Sequence, residues 1–399
     1  MMPADRHALE KLLAVRPAWA GVPLAADAVG LEGATLLHCG PPADPPHDLV
    51  RPTVHSAAVA CVFEGWASNF DEADALIASG DVRFEPEQNR NVATPMAAVV
   101  SPSMRLLKFV DLDDPGRRAF APLNGGGTGA APAPRYGRKT MEALDLVRFL
   151  NDEVADAIAP ASAEPIPWLP IIDDALIGGD DGHLRHLAAH GMLVAMLRER
   201  LGSGFAGGRS DAFIAEWPIF HLNFWMAGSR CVLAAAAGVE GSSIITAFGG
   251  NGDRFGLQVG GLPGRWFTVE ATPPRGRLRP PHTPASCVGA YGDSALAEAL
   301  GLGAMAQSYC PDMQALHKDF TPGDILELPA KLLMGAHPAL PKSRARVGLS
   351  ARAVVEAGIT PVVELGIVDA AGLDGGLGAG IYRPPIAPFV AACAALDGG

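Results

Sequence analysis

The 399-residue chain has 43 acidic and 31 basic residues, a net charge of −12 and an isoelectric point near 5.4, with 49% hydrophobic and 19% charged residues. This length exceeds what one core usually holds, and the composition is that of a folded chain rather than a disordered one. The acidic surplus, unrelieved by any Lys/Arg run, excludes nucleic acid as a natural partner and leaves small molecules and other proteins.

In chain order, the charged start "MMPADRHALEKLLAVRPAW" predicts a helix near 8–15 and does not resemble an export signal. The stretch "ATLLHCG", the apolar "HSAAVACVFEGWA", the short helix "DEADALIAS" and the strands "MAAVV" and "LLKFVDL" make residues 1–121 an α/β lobe. Residues 122–139, "PLNGGGTGAAPAPRYGRK" with Tyr136 and Arg138 near its end, have the Gly/Pro-rich composition of a linker or surface loop. Helical periodicity governs residues 140–240, and strands return over 241–399 with "SIITAF", "RFGLQVGG" and "RWFTVEA", followed by a glycine-rich loop "GLDGGLGAG". This order predicts an α+β fold, with two α/β lobes flanking a helical segment. The apolar run from Ile219 to Val239 approaches membrane-spanning length but contains His221, Asn223 and Arg230, so it is read as a buried core helix with no membrane partner.

Six scattered cysteines without a CxxC pair suit reduced thiols in the cytoplasm, and no motif calls for a cofactor. In "TAFGGNGDRFG" a phosphate loop would need a helix to follow; a strand follows, and Asn251-Gly252 is a dipeptide of tight hairpins. The turn would still present Asn251 and Asp253 to a ligand.

Titratable groups are densest in "GGDDGHLRHLAAH", where Asp180 or Asp181 is placed to cap a helix carrying His183, Arg185, His186 and His190. Three readings stay open: a capped helix start with one core histidine, a small-anion site using Arg185 and His183, and a metal site using His186 and His190, which stand four apart. In "YGDSALAE", Asp293 or Ser294 is a helix N-cap with Glu298 in the next turn, and Ser294 lacks the elbow of a serine hydrolase. Glu64 in "FEGWA" is either a base or a rim charge, and the glycines around Gly378 and Gly380 offer bare backbone to a ligand.

The ordered set "LLHCGPP", "FEGWA", "NVATPM" (opening at Asn91), "SPSM", "GDDGHLRH", "GSSIITA", "NGDRFG", "RWFTVEATPPRG", "GDSALAE" and "VVEAGITP" through "GLGAG" resembles the YlbE-like family over roughly residues 36–380. The resemblance implies an α+β architecture and membership of a multi-subunit carbamoyltransferase of allantoin-type nitrogen catabolism, one that moves a carbamoyl group between oxalurate and phosphate. It also implies an FdrA-like partner subunit; a homo-oligomer is expected as well. Against the family pattern G-D-E-x-H-x-R-N, Asp181 replaces the Glu and His186 the Asn; Gly376 stands where a Gln is usual. On this basis His183 is expected as acid/base, Arg185 as anion anchor and Asp180 or Asp293 as orienting carboxylate, with Glu64, Asn91, Asn251, Ser294, Gly378 and Gly380 as substrate-binding candidates. The alternatives are a non-catalytic structural subunit and a metal-dependent amidohydrolase.

Overall fold

The computed structural model describes residues 2–43, 49–129 and 131–398 and has the α+β composition expected, with helices and several small sheets. The chain opens with helix Pro3–Ala14, whose proline sits where the missing N–H costs nothing and whose inner face buries Ala8, Leu9 and Leu12. An antiparallel sheet follows, with spatial order Arg118–Pro122, Leu106–Asp111, Pro17–Trp19 and Ile166–Pro167.

Helix Leu222–Leu233 packs on that sheet, and all its residues are buried. The core-helix reading of this apolar run therefore holds, and Asn223 and Arg230 find partners inside. Asn223 Nδ2 donates to the Asn124 carbonyl at 2.8 Å and the Phe220 carbonyl at 2.9 Å, while Arg230 donates to the Gln88 carbonyl at 3.1 Å and to Asn91 Oδ1 at 2.7 Å. Edge-to-face aromatic pairs, Trp19 with Phe224 at 5.1 Å and Phe109 with Phe224 at 6.2 Å, tie sheet and helix together. Among the described residues no helix is long and apolar enough to cross a membrane.

Strands Thr35–His38 and Arg83–Pro86 pair in parallel, connected through helices Arg51–Phe63 and Phe70–Ala78. The later strands form a second antiparallel sheet, ordered Tyr291–Gly292, Ile245–Asn251, Arg254–Val259, Phe267–Glu270, and a three-stranded one, ordered Arg275–Leu278, Gly376–Tyr382, Val363–Val368. The hairpin reading of the Asn-Gly turn is met: Ile245–Asn251 pairs antiparallel with Arg254–Val259, and Gly252 takes φ 88°.

Three local expectations change. The Gly378 and Gly380 segment is not a loop but the central strand Gly376–Tyr382, whose backbone is engaged by strands on both sides. Residues 180–186 are not helical; helix Leu187–Leu201 starts after them, so His183, Arg185 and His186 sit in the approach turn. The described residues of the 122–139 segment include Asn124 and Arg135 buried in the interior. The largest core cluster runs from Ala8 to Cys393 and draws on the early, middle and late parts of the chain alike.

Candidate functional site

The approach turn 180–186 is shaped by its own carboxylates. Asp181 Oδ1 accepts the backbone N–H groups of His183 at 2.6 Å, Leu184 at 3.0 Å and Arg185 at 3.1 Å. Asp180 reaches the start of helix Leu187–Leu201, accepting from Ala189 N at 2.8 Å and Ala188 N at 3.2 Å. The two aspartates thus fold the turn and cap the helix, and the turn projects the His183 ring inward, where it is 1% exposed.

There His183 Nδ1 lies 2.8 and 2.9 Å from the two carboxylate oxygens of Glu298, a residue of the short helix Leu296–Leu300. Glu298 Oε1 also accepts from Ala304 N and Glu364 N, both at 3.1 Å. Burial raises the Glu298 carboxyl above its ordinary value, opposed by His183 and these backbone donors. Anchoring Nδ1–H to a carboxylate selects the tautomer whose Nε2 accepts a proton, the arrangement of a general acid/base. Gly303 makes the approach feasible: with φ +58°, a Cβ there would lie 2.1 Å from Glu298 Oε1 and 2.9 Å from His183 Cβ.

Two carboxyl pairs are also buried in the interior. Glu364 accepts from Gln307 Nε2 at 2.6 Å through one oxygen; its other oxygen and Asp181 Oδ2 find no further donor among the described residues. Burial, together with the charges of Asp181 and Glu298, pushes the Glu364 carboxyl well above its ordinary value. The second pair is Asp293 with Glu87. Asp293 Oδ1 accepts from Gly40 N at 2.8 Å, and burial raises its carboxyl to about 6, while burial and the Asp293 charge push Glu87 well above its ordinary value. Arg230 is the neighbouring cation that favours ionised Asp293.

The other residues singled out in the sequence fall into different surroundings. Arg185 is engaged by Asp180 at 3.0 Å and Asp312 at 3.1 Å. Glu64 lies apart from the interior groups, bonded to Ser103 N and Oγ at 2.8 Å each. Asn91 accepts from Arg230, and Asn251 Oδ1 closes its own turn on Asp253 N at 3.0 Å and Arg254 N at 2.7 Å. Ser294 is buried next to Asp293, against Gly292. Gly378 and Gly380 hold ladder positions and present no free row of N–H groups.

His186 stands beside His221, ring centroids 6.4 Å apart, with burial lowering His186 to about 3, whereas His190 Nε2 lies 3.3 Å from the Ala215 carbonyl. No group of three or more His, Cys, Asp or Glu able to hold a metal occurs among the described residues.

The "GDDGHLRH" turn and the "GDSALAE" corner therefore meet, and the contact between them is His183 with Glu298. The hydrogen bonds of Asp293 lead instead to the "LLHCG" strand end and the 87–94 segment. Sequence reasoning placed Glu298 only in a capping turn and missed Glu87, Gln307 and the pairing role of Glu364. The signal for Glu364 was a carboxylate in an otherwise apolar strand, "TPVVELGIV", where burial demands a partner.

Known proteins share this chain's sequence and fold. The sequence profile of the oxamate carbamoyltransferase subunit AllG matches residues 82–294, which include Glu87, His183 and Asp293. AllG of Escherichia coli (strain K12) is 30% identical over 412 residues, covering 98% of this chain and 97% of the relative. The protein YahG of the same organism is also 30% identical, over 410 residues, covering 97% and 84%. A crystal structure of a conserved protein of unknown function from Enterococcus faecalis V583 superposes with a TM-score of 0.90 at 26% identity, covering 99% and 97% of the two chains. With a profile match over more than half its length and a full-length relative of the same name, the chain belongs to the AllG family of oxamate carbamoyltransferase subunits.

Proposed function

We propose that this chain carries a carbamoyl-transfer centre whose acid/base is His183, oriented by Glu298, and that it works within a multi-subunit enzyme of the cytoplasm. The observation that carries the reading is the buried imidazole with Nδ1 anchored on a carboxylate, an arrangement that leaves Nε2 as the proton acceptor. The name shared by the profile and the E. coli relative, oxamate carbamoyltransferase subunit, supports the reaction class. The reaction class is the one the sequence resemblance implied.

In the direction of carbamoyl phosphate formation, a phosphate oxygen attacks the carbamoyl carbon of oxalurate, the bond from that carbon to the bridging nitrogen breaks, and oxamate departs. The phosphate hydroxyl loses one proton and the departing nitrogen gains one, so a single imidazole relays it with no net change. Glu298 stabilises the charged ring during the relay. Ser294 and Asn91 lie near the Asp293–Glu87 pair as neutral groups for substrate, while Arg185 anchors an anion only by exchanging its bond to Asp312.

The test is carbamoyl phosphate release from oxalurate and phosphate, measured with the chain alone and with an FdrA-like partner. His183→Ala is expected to lower kcat by about 10²- to 10⁴-fold, and equal turnover removes His183 from the reaction. A second reading, a structural subunit whose partner performs the transfer, is favoured by closure: His183 and Glu298 are 1% and 0% exposed. Turnover that needs the partner yet ignores both His183→Ala and Glu298→Gln selects this second reading.

A further inference from the structure

Away from the dyad, two adjoining clefts of about 470 and 260 Å³ share Arg51, His55 and Lys139 in their walls. Arg138 and Thr140 line the smaller one. Three cations thus gather around these clefts, and Asp74 is the single acidic lining residue among the described residues, a local contrast to the −12 charge of the chain. Lys139 Nζ bonds Asp74, and the ammonium keeps two further donors. Arg138 donates from Nη1 to the Thr128 carbonyl at 2.9 Å, and its Nε is buried with no partner among the described residues.

The backbone adds to this field. Arg51 is the first residue of the 13-residue helix Arg51–Phe63, and Thr140 is the N-cap of the nine-residue helix Met141–Phe149, so two positive helix ends border the cleft. The opposite wall is preformed: Asp369 accepts from Ala371 N at 3.1 Å, Leu373 N at 2.9 Å and Asp374 N at 3.0 Å, fixing the turn that contributes Gly372 and Leu373. His55 is half-buried, with Nδ1 3.2 Å from the Gly372 carbonyl, and reports the local potential. Burial lowers its imidazole below the ordinary value, and Lys139 and Arg51 push the same way.

We propose that the cleft around Arg51, His55 and Lys139 binds a small dianionic oxyanion, a phosphoryl group or a dicarboxylate, at a site separate from the His183–Glu298 dyad. Volumes of this order admit a small metabolite. The anion would gain charge-assisted hydrogen bonds from Lys139 and Arg51 and bring a compensating charge to His55. None of this depends on carbamoyl transfer, since the readout is local binding.

The experiment uses the full chain with ¹³C-labelled histidine, titrated at constant ionic strength with inorganic phosphate in one arm and oxalate in the other. His55 is assigned by the loss of its signals in His55→Phe. The expected result is a saturable movement of the His55 ring signals and an upward shift of its titration midpoint, with half-saturation raised about tenfold in Lys139→Gln. Arg51→Gln, at an exposed position, gives the same shift independently of how Lys139→Gln folds. Saturation by phosphate alone assigns the site to phosphoryl ligands, and saturation by oxalate alone assigns it to dicarboxylates. His55 signals unmoved by either anion, or half-saturation unchanged in both variants, overturns the proposal.

Discussion

Glu298 and Asp293 are both buried carboxyls of one short segment, and their surroundings give them opposite tasks. Glu298 faces an imidazole and two backbone donors, which suits it to remain charged and orient His183. Glu298→Gln keeps the shape and removes the charge; the expected outcome is a fall in kcat of about 10- to 100-fold with KM little changed, read by steady-state kinetics. Asp293 faces Glu87 instead, and burial raises it to about 6 from 3.8.

Between those two values the folded chain binds more protons at Asp293 than the unfolded chain does, so its contribution to stability is complete below about 3.8 and is lost as pH rises through about 6. Each unit of that difference corresponds to about 1.4 kcal/mol. Asp293→Asn removes the titration, so its Tm should decline less than that of the parent between pH 4 and 7. Parallel Tm profiles across this range would count against the raised Asp293 carboxyl.

Among the elements, the dyad is held by a close approach of chain segments. The turn at Gly303 passes Glu298 so tightly that a methyl group there has no room, and its positive φ disfavours any L side chain. Gly303→Ala is expected to cost about 2–4 kcal/mol and to lower turnover together with stability. Denaturant melts and kinetics on the same preparation check it.

The hairpin at Asn251 gives a contrasting expectation. Its amide closes the turn and donates to the Pro41 carbonyl at 3.0 Å, so Asn251→Ala should cost about 1–3 kcal/mol. Its effect on kcat should be small, because this side chain is committed to the backbone. A loss of turnover exceeding the loss of folded protein would restore Asn251 as a substrate-binding group.

For the molecule as a whole, the largest core cluster, which joins residues from Ala8 to Cys393, implies concerted unfolding of the segments it contains. Helix Pro3–Ala14 is joined to residues far along the chain through Asp5, which accepts from Ser243 N at 2.6 Å, Ser243 Oγ at 2.8 Å and Ser242 Oγ at 3.2 Å. Asp5→Ala leaves those donors unpaired in the interior, at an expected cost of about 2–4 kcal/mol. Calorimetry should show one transition shifted downward as a unit; an early separate transition of the N-terminal region would contradict that concerted unfolding.

How much of this was legible in the sequence follows from the range of the interactions. The α+β class, the hairpin at Asn251-Gly252 and the burial of the 219–239 run were readable because period, turn chemistry and apolar content act between near neighbours. The clustering of Asp180, Asp181 and His183 was visible for the same reason. The partner of His183 was not, since Glu298 lies 115 positions away and a carboxylate in a capping turn looks alike whether it meets water or an imidazole. Glu87 with Asp293 and Asp181 with Glu364 are hidden likewise. Local spacing determined which segments carry chemistry; desolvation and long-range packing decided which of their side chains face one another, and those forces exist only once the chain has closed on itself.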